Sequence, residues 1–172
     1  MNFLLKNKSI FLLAIIIFFA ILLRFYKIYE YPICVDGDAA SMAMKVKEIA
    51  KDFSAYKNVT HDWTSLHFFL IAFYIKIFKD SLFALRLFSS LEGILEVFFI
   101  YLMVKEFFSK ELALVSMALL AFNPLHLHNS RTGLGVINMT SSSCLSIFLL
   151  FKGIKRKNLW LIFFSGVVCA IA

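Results

Sequence analysis

The feature that most constrains this chain is a succession of apolar runs separated by short basic connectors. The first runs from Ile10 to Leu23, and five more lie near residues 66–79, 83–104, 111–125, 136–151 and 158–172. A helix needs about 20 predominantly apolar residues to cross a ~30 Å hydrocarbon core. The 83–104 run meets that length. The 66–79 run covers only ~21 Å at 1.5 Å per residue, and the 111–125 run reaches further if Phe107 and Phe108 extend it and Lys110 snorkels. Composition agrees: hydrophobic residues are 61% of the 172, above the roughly 45–50% of soluble domains. The mean hydropathy of +0.83 excludes a disordered chain, a nucleic-acid-binding tail and an ordinary soluble enzyme.

The N-terminal run is a retained membrane helix rather than a cleaved leader. Lys6 and Lys8 precede it, but no small-residue cleavage site follows; Arg24, Phe25, Tyr26 and Lys27 read instead as interfacial anchors. The long polar stretch, residues 30–64, contains a second kind of helix. Ala39, Met42, Ala43, Val46, Ile49, Ala50 and Phe53 recur at helical spacing, with Lys45, Lys47, Glu48, Lys51 and Asp52 on other faces. That pattern predicts an amphipathic helix over 39–53 lying on the membrane surface, with Asp38 at its N-cap. Cys34, Cys144 and Cys169 are scattered and form no disulfide or metal framework.

Charge orders these elements. The net charge of +7 is concentrated in connectors, where it sets topology rather than marking a nucleic-acid site. If 66–79 does not cross, Lys6, Lys8, Lys105, Lys110, Lys152, Lys155, Arg156 and Lys157 share the inner side. Lys76, Lys79, Arg86 and Arg131 then lie outside. If it does cross, the two sides carry six positives each. The positive-inside rule therefore favours five crossings, over 9–29, 83–104, 107–126, 135–152 and 158–172, with 66–79 as a short surface or re-entrant helix. The expected fold is all-α: a multi-pass helical membrane protein whose first outer loop carries an amphipathic juxtamembrane helix. Residues 1–172 form one transmembrane domain with a cytoplasmic N-terminus, in the plasma membrane. The last apolar run reaches Ala172 with no polar flank, which is expected of the incomplete N-terminal portion of a longer protein.

This topology gathers distant polar residues on one wet face. Asp36-Gly37-Asp38 offers two carboxylates beside a flexible residue, as general base or divalent-metal ligands; the plainer alternative is a helix cap and a solvated acid. His61-Asp62 orients a phosphate or binds a metal, or simply ends a loop. Among the residues after Pro124, Arg131 suits bidentate phosphate binding, and Arg86 joins it on the same face. His126 and His128 are metal-ligand candidates or interfacial anchors. Glu92 and Glu96, four apart on one helix face, are costly inside a membrane; they pair with a basic group such as Arg86 or hydrogen-bond between helices. Ser141, Ser142 and Ser143 allow close helix packing. Asn58-Val59-Thr60 and Asn138-Met139-Thr140 match the glycosylation pattern, the second inside an apolar helix.

Taken in order, VDGDAASMA, HDWTSLHFFLIAFYIKIF, ALRLFSSLEGIL, FIYLMVKEFFSKELALVSMALLAFNPLHLHNSRTG and KNLWLIFFSGVV resemble the N-terminal part of polytopic C-type glycosyltransferases. The protein mannosyltransferase and aminoarabinose transferase branch is the nearest in pattern. The chain departs from it at Ala39, where a second acid is usual, at Thr64-Ser65 in place of Pro-Pro, and at Gly135 to Asn138, where an acid often occurs. The resemblance implies inverting transfer of a sugar from a polyprenyl-phosphate donor to a lipid, glycan or protein hydroxyl on the outer membrane face. Asp38 would be the base, with Asp36 in reserve or binding a divalent metal. Arg131, His61 and Arg86 would face the donor phosphate. The alternatives are a non-catalytic subunit or truncated remnant of such a transferase, and, more remotely, an ion or proton carrier built on Glu92 and Glu96.

Overall fold

A computed structural model describes residues 2–33, 36–52, 54 and 65–171, with side chains described for 8–33, 36–52, 54 and 67–170. Every regular element among them is a helix. In chain order these are α1 (Asn2–Phe25), α2 (Gly37–Lys51), α3 (Ser65–Phe78), α4 (Ser81–Phe107), α5 (Lys110–Phe122), α6 (Pro124–Thr132), α7 (Val136–Arg156) and α8 (Leu159–Ile171). Three stretches are long and apolar enough to cross a membrane: Lys8–Phe25, Ser81–Phe107 and Val136–Arg156. With the shorter apolar helices over His67–Phe78 and Leu159–Ala170, they make this a multi-pass helical membrane protein. Phe11, Phe18, Leu119, Trp160 and Phe163 stay exposed, as expected where the solvent is hydrocarbon.

Local chemistry sets the helix starts. Asp80 accepts from the Phe83 amide at 3.0 Å to open α4, and Ser109 accepts from the Leu112 amide at 3.2 Å to open α5. The amphipathic helix opens two residues earlier than its sequence suggests. Asp36, in extended conformation, is the N-cap and accepts from the Asp38 amide at 2.9 Å, which places Asp38 inside the first turn. The helix then runs to Lys51, with Asp52 as its C-cap; the expected end at Phe53 lies outside the described residues. Its apolar face, Ala39, Met42, Val46 and Ile49, is buried by protein, packed on α3 and the first half of α4.

The apolar run expected as one helix over 107–126 is divided. Asn123 accepts from the His126 amide at 3.0 Å and Pro124 supplies the first residue of α6. Proline lacks the amide that would continue α5, and its ring disfavours a helical residue before it. The chain therefore turns at Asn123 and starts a separate nine-residue helix.

α4 is the hub. On its first half sits one apolar core, in which Phe68, Ile71 and Ala72 of α3 meet Leu85 and Phe88. On its second half sits another, in which Ile16 and Ala20 of α1 and Ala113 and Met117 of α5 meet Val97 and Tyr101.

The end of α1 departs from the expected boundary at residue 29. The helix stops at Phe25, and the turn that follows carries Lys27 at φ +50°. Helix ends and the turns after them leave carbonyls without partners, and here two arginines from other helices take one from the last turn of α1 and five from the loop that follows. Arg86 of α4 donates to the carbonyls of Ile28 (2.9 Å), Tyr29 (3.0 Å) and Pro32 (2.6 Å). Arg131 of α6 donates to those of Leu23 (2.9 Å), Tyr26 (2.6 Å) and Tyr31 (3.3 Å). The Tyr29 ring stacks on Phe83 with centroids 4.4 Å apart, adding an apolar clasp to the same loop.

Replacing Arg86 by Leu leaves three carbonyls without donors. Charged hydrogen bonds contribute ~1.5–3 kcal/mol each, so the variant in detergent should unfold with a loss of about 2 kcal/mol or more. A melting temperature equal to that of the parent protein would show that the loop does not depend on this guanidinium.

Candidate functional site

The short helix α6 carries most of the polar residues near the site, and α4 has the shape to receive it. Ser89 and Ser90 of α4 donate to the carbonyls of Asn129 (3.2 Å) and Ser130 (3.1 Å). One turn on, Gly93 lets the two backbones close up: a Cβ there would lie 2.5 Å from the Ser130 Cβ and 3.0 Å from the Arg24 Nε. The far end of α6 is closed by Gly133 at φ +87°, a left-handed position suited to glycine.

Seated this way, His126 points into the bundle and completes a buried chain of polar groups. An Arg24 terminal nitrogen lies 2.8 Å from His126 Nδ1, and His126 Nε2 lies 2.9 Å from Glu96 Oε2. The Thr140 hydroxyl of α7 donates to the same carboxylate oxygen at 2.9 Å. A guanidinium only donates, so Nδ1 must accept, and the ring proton sits on Nε2 facing the carboxylate. The imidazole thus accepts from the guanidinium through Nδ1 and donates to the carboxyl group through Nε2. Arg24 has no exposed surface, and Glu96 and His126 have less than a tenth. Arg24 also donates to the Ala20 carbonyl at 3.1 Å. One relay therefore joins α1, α6, α4 and α7.

Glu92, one turn before Glu96, accepts from the Ser141 hydroxyl at 2.8 Å. Both intramembrane carboxylates thus have partners on neighbouring helices. Neither pairs with Arg86, the basic group their position on α4 suggested; Arg86 is taken up by the loop carbonyls.

Arg131 and His128 face elsewhere, onto a cavity of about 280 Å³ that they line with Tyr31, Pro32, Pro124 and Leu127. It lies between α6 and the loop following α1. Burial lowers the Arg131 guanidinium from its usual value, yet an arginine stays charged under physiological conditions. The cavity therefore has one fixed cation, a histidine and apolar walls. Arg86 is set back from it and nearly fully buried, beside a smaller hollow of about 140 Å³ lined in part by Ile28, Tyr29 and Asp80.

Asp36 and Asp38 are exposed at the start of α2, Asp36 engaged as the cap. Neither lines the cavity of Arg131. His61 and Asp62 lie outside the described residues. His126 does not suit metal ligation, because both of its ring nitrogens are committed. Among the described residues no three His, Cys, Asp or Glu side chains stand close enough to share a metal ion.

Arg24 is the residue that sequence reasoning misjudged most: read as an interfacial anchor, it is buried in the bundle. Its neighbours Phe25, Tyr26 and Lys27 carry the anchor signature, while the pairing with His126, 102 positions away, leaves no local mark. Thr140 was read only as part of a glycosylation pattern, and His67 was not singled out. His67 is buried on α3, its ring edge-on to Phe88 at 5.1 Å, and neither ring nitrogen has a partner among the described residues.

A family model described as dolichyl-phosphate-mannose-protein mannosyltransferase matches residues 62–172, and the chain belongs to that family. The matched stretch takes in α3 to α8, and so Arg86, Arg131 and the relay residues of α4, α6 and α7; Asp36 and Asp38 precede it. No curated protein and no solved structure matches the chain.

Removing the middle of the relay strands both ends. His126→Leu leaves a buried guanidinium and carboxylate without each other's bridge, and breaking a buried pair costs ~3–5 kcal/mol; thermal unfolding in detergent should show a loss of that order. Gly93→Val should act at the same place by pushing Ser130 off α4, at about 1–3 kcal/mol. Parent-like melting of both variants would contradict the placement of α6.

Proposed function

We propose that this chain is the membrane-embedded part of a glycosyltransferase that moves a sugar, mannose by the family's description, from a polyprenyl-phosphate donor to an acceptor hydroxyl at the membrane surface. The observation that carries this reading is the family match over residues 62–172. The cavity of Arg131 and His128 supports it, because it joins a fixed cation to apolar walls, as a phosphate attached to a hydrocarbon chain requires.

In the proposed reaction Asp38 takes the proton of the acceptor hydroxyl. The acceptor oxygen attacks the anomeric carbon from the face opposite the phosphate, and the bond from that carbon to the phosphate oxygen breaks with inversion. The polyprenyl phosphate leaves with the bonding pair, and Arg131, with His61, balances its charge. Asp36 holds the start of α2 and so aims Asp38. Arg86 acts through the loop it fastens, as a positioning residue. A divalent metal bound at Asp36 and Asp38 is compatible with their exposure but is not needed for any of these steps. The acceptor is a lipid, glycan or protein hydroxyl.

One observation favours a second reading, a non-catalytic subunit. The terminal nitrogens of Arg131, the arginine assigned to the donor, already serve backbone carbonyls, as do those of Arg86.

Transfer of radiolabelled mannose from polyprenyl phosphate, in membranes containing the full-length protein, separates the two. The transferase reading expects activity that falls at least about 100-fold in Asp38→Asn, the scale of general-base catalysis, with expression unchanged. Undiminished transfer by Asp38→Asn would remove the base assignment. Inactivity of the parent protein would favour the subunit.

A further inference from the structure

The end of the bundle opposite the cavity carries a second polar site. α4 and α7 run in the same direction side by side: Glu92 meets Ser141, the Phe107 ring meets Phe151 at 4.6 Å, and Glu106 pairs with Lys155 at 2.9 Å. From Arg86, beside the α1 end, to Lys105 is ~29 Å along α4 at 1.5 Å per residue, about one hydrocarbon thickness. Lys105 therefore marks the other membrane boundary. At that level the two helices enclose a cleft of about 240 Å³ lined by Leu102, Lys105, Glu106, Phe148, Lys152 and Arg156.

The charges around this cleft do not balance. The single acid in its lining, Glu106, is paired with Lys155. Lys152 and Arg156 also attract the Glu106 carboxylate, but neither they nor Lys105 come within 4.0 Å of an acid among the described residues, and one carboxylate faces four cations. Cations at helix C-termini complement the helix dipole, which accounts for basic residues here but not for three around one hollow. Lys105 is exposed and Lys152 half-buried, and both ammonium groups lie against aromatic rings. The Lys152 ammonium lies over the Phe148 ring, 4.6 Å from its centroid, and that of Lys105 lies 5.6 Å from the Tyr101 centroid. Each is held at the helix surface, where cation–π attraction leaves its hydrogens free to donate.

We propose that this cleft binds the phosphate of an anionic lipid headgroup in the leaflet opposite the Arg131 cavity. Lys105, Lys152 and Arg156 grip the phosphate, and Leu102 and Phe148 meet the start of the acyl chains. The volume is below the ~300–1,000 Å³ of sites that enclose a whole small molecule, so the cleft takes a headgroup while the chains stay in the bilayer. Inorganic phosphate offers the same oxygens, but it has no use for the apolar wall and is not concentrated at that depth. Basic pockets between membrane helices are suited to anionic headgroups, at about 1 kcal/mol per Lys or Arg near the surface. The proposal is independent of the catalytic reading.

The test uses the delipidated full-length protein in neutral detergent, titrated with short-chain phosphatidylglycerol, short-chain phosphatidylcholine and inorganic phosphate. Phosphatidylglycerol should bind at least about tenfold more tightly than phosphatidylcholine, as two or more added ionic contacts require. The Lys105→Gln/Lys152→Gln/Arg156→Gln variant should lose that preference, and Lys105→Arg/Lys152→Arg should keep it. Should the triple variant not fold, Lys152→Gln alone should still weaken the preference severalfold. An unchanged preference in the glutamine variants, or none in the parent protein, overturns the proposal. So does displacement of phosphatidylglycerol by an equal concentration of inorganic phosphate, which would assign the cleft to the free ion.

Discussion

The arrangement depends on keeping a guanidinium and a carboxylate in the interior of an apolar bundle. Neither Arg24 nor Glu96 is tolerable there alone, and they do not meet directly. His126 bridges them because its two nitrogens differ, one accepting and one donating. Each group finds a partner only when α1, α4 and α6 are together, and Thr140 adds α7. Apolar packing against lipid supplies little preference for one helix arrangement over another, because hydrocarbon solvates leucine as well as a neighbouring helix does. A buried polar chain does supply that preference, since every alternative arrangement leaves a charge without a partner.

The site inherits its geometry from this constraint. With His126 fixed inward, the neighbouring turns of α6 present His128 and Arg131 to the loop after α1. Ser89, Ser90 and Gly93 let α6 lie close enough for its backbone to be hydrogen-bonded from α4. The Leu23 carbonyl of α1 and those of the loop after it then become acceptors for Arg131 and Arg86. One helix end, left open by its own sequence, is thus closed by two side chains more than fifty residues away, and that closure shapes the cavity wall at Tyr31 and Pro32.

Much of the helical framework was legible in the sequence because each element has a local cause. The apolar runs and the periodicity of Met42, Val46 and Ile49 act within a turn or two. The break at Asn123-Pro124 was readable as a stop but not as the start of a new helix, since apolar Leu125 and Leu127 continue the run. What could not be read is long-range pairing. Glu96 was marked by the cost of a carboxylate in an apolar helix, but nothing near it identifies His126 as its partner. Arg86 and Arg131 suited phosphate by residue type; that they also grip backbone carbonyls follows from where α1 stops, which no local pattern reports.

The most direct measurement of this account is a double-mutant cycle between Arg24→Met and Glu96→Gln, read by unfolding in detergent with His126 present and again with His126→Leu. If the three side chains act as one unit, the two losses should be non-additive by more than ~1 kcal/mol with the histidine present, and additive without it. Additive losses in both backgrounds would contradict the relay and, with it, the placement of α6 that the site depends on.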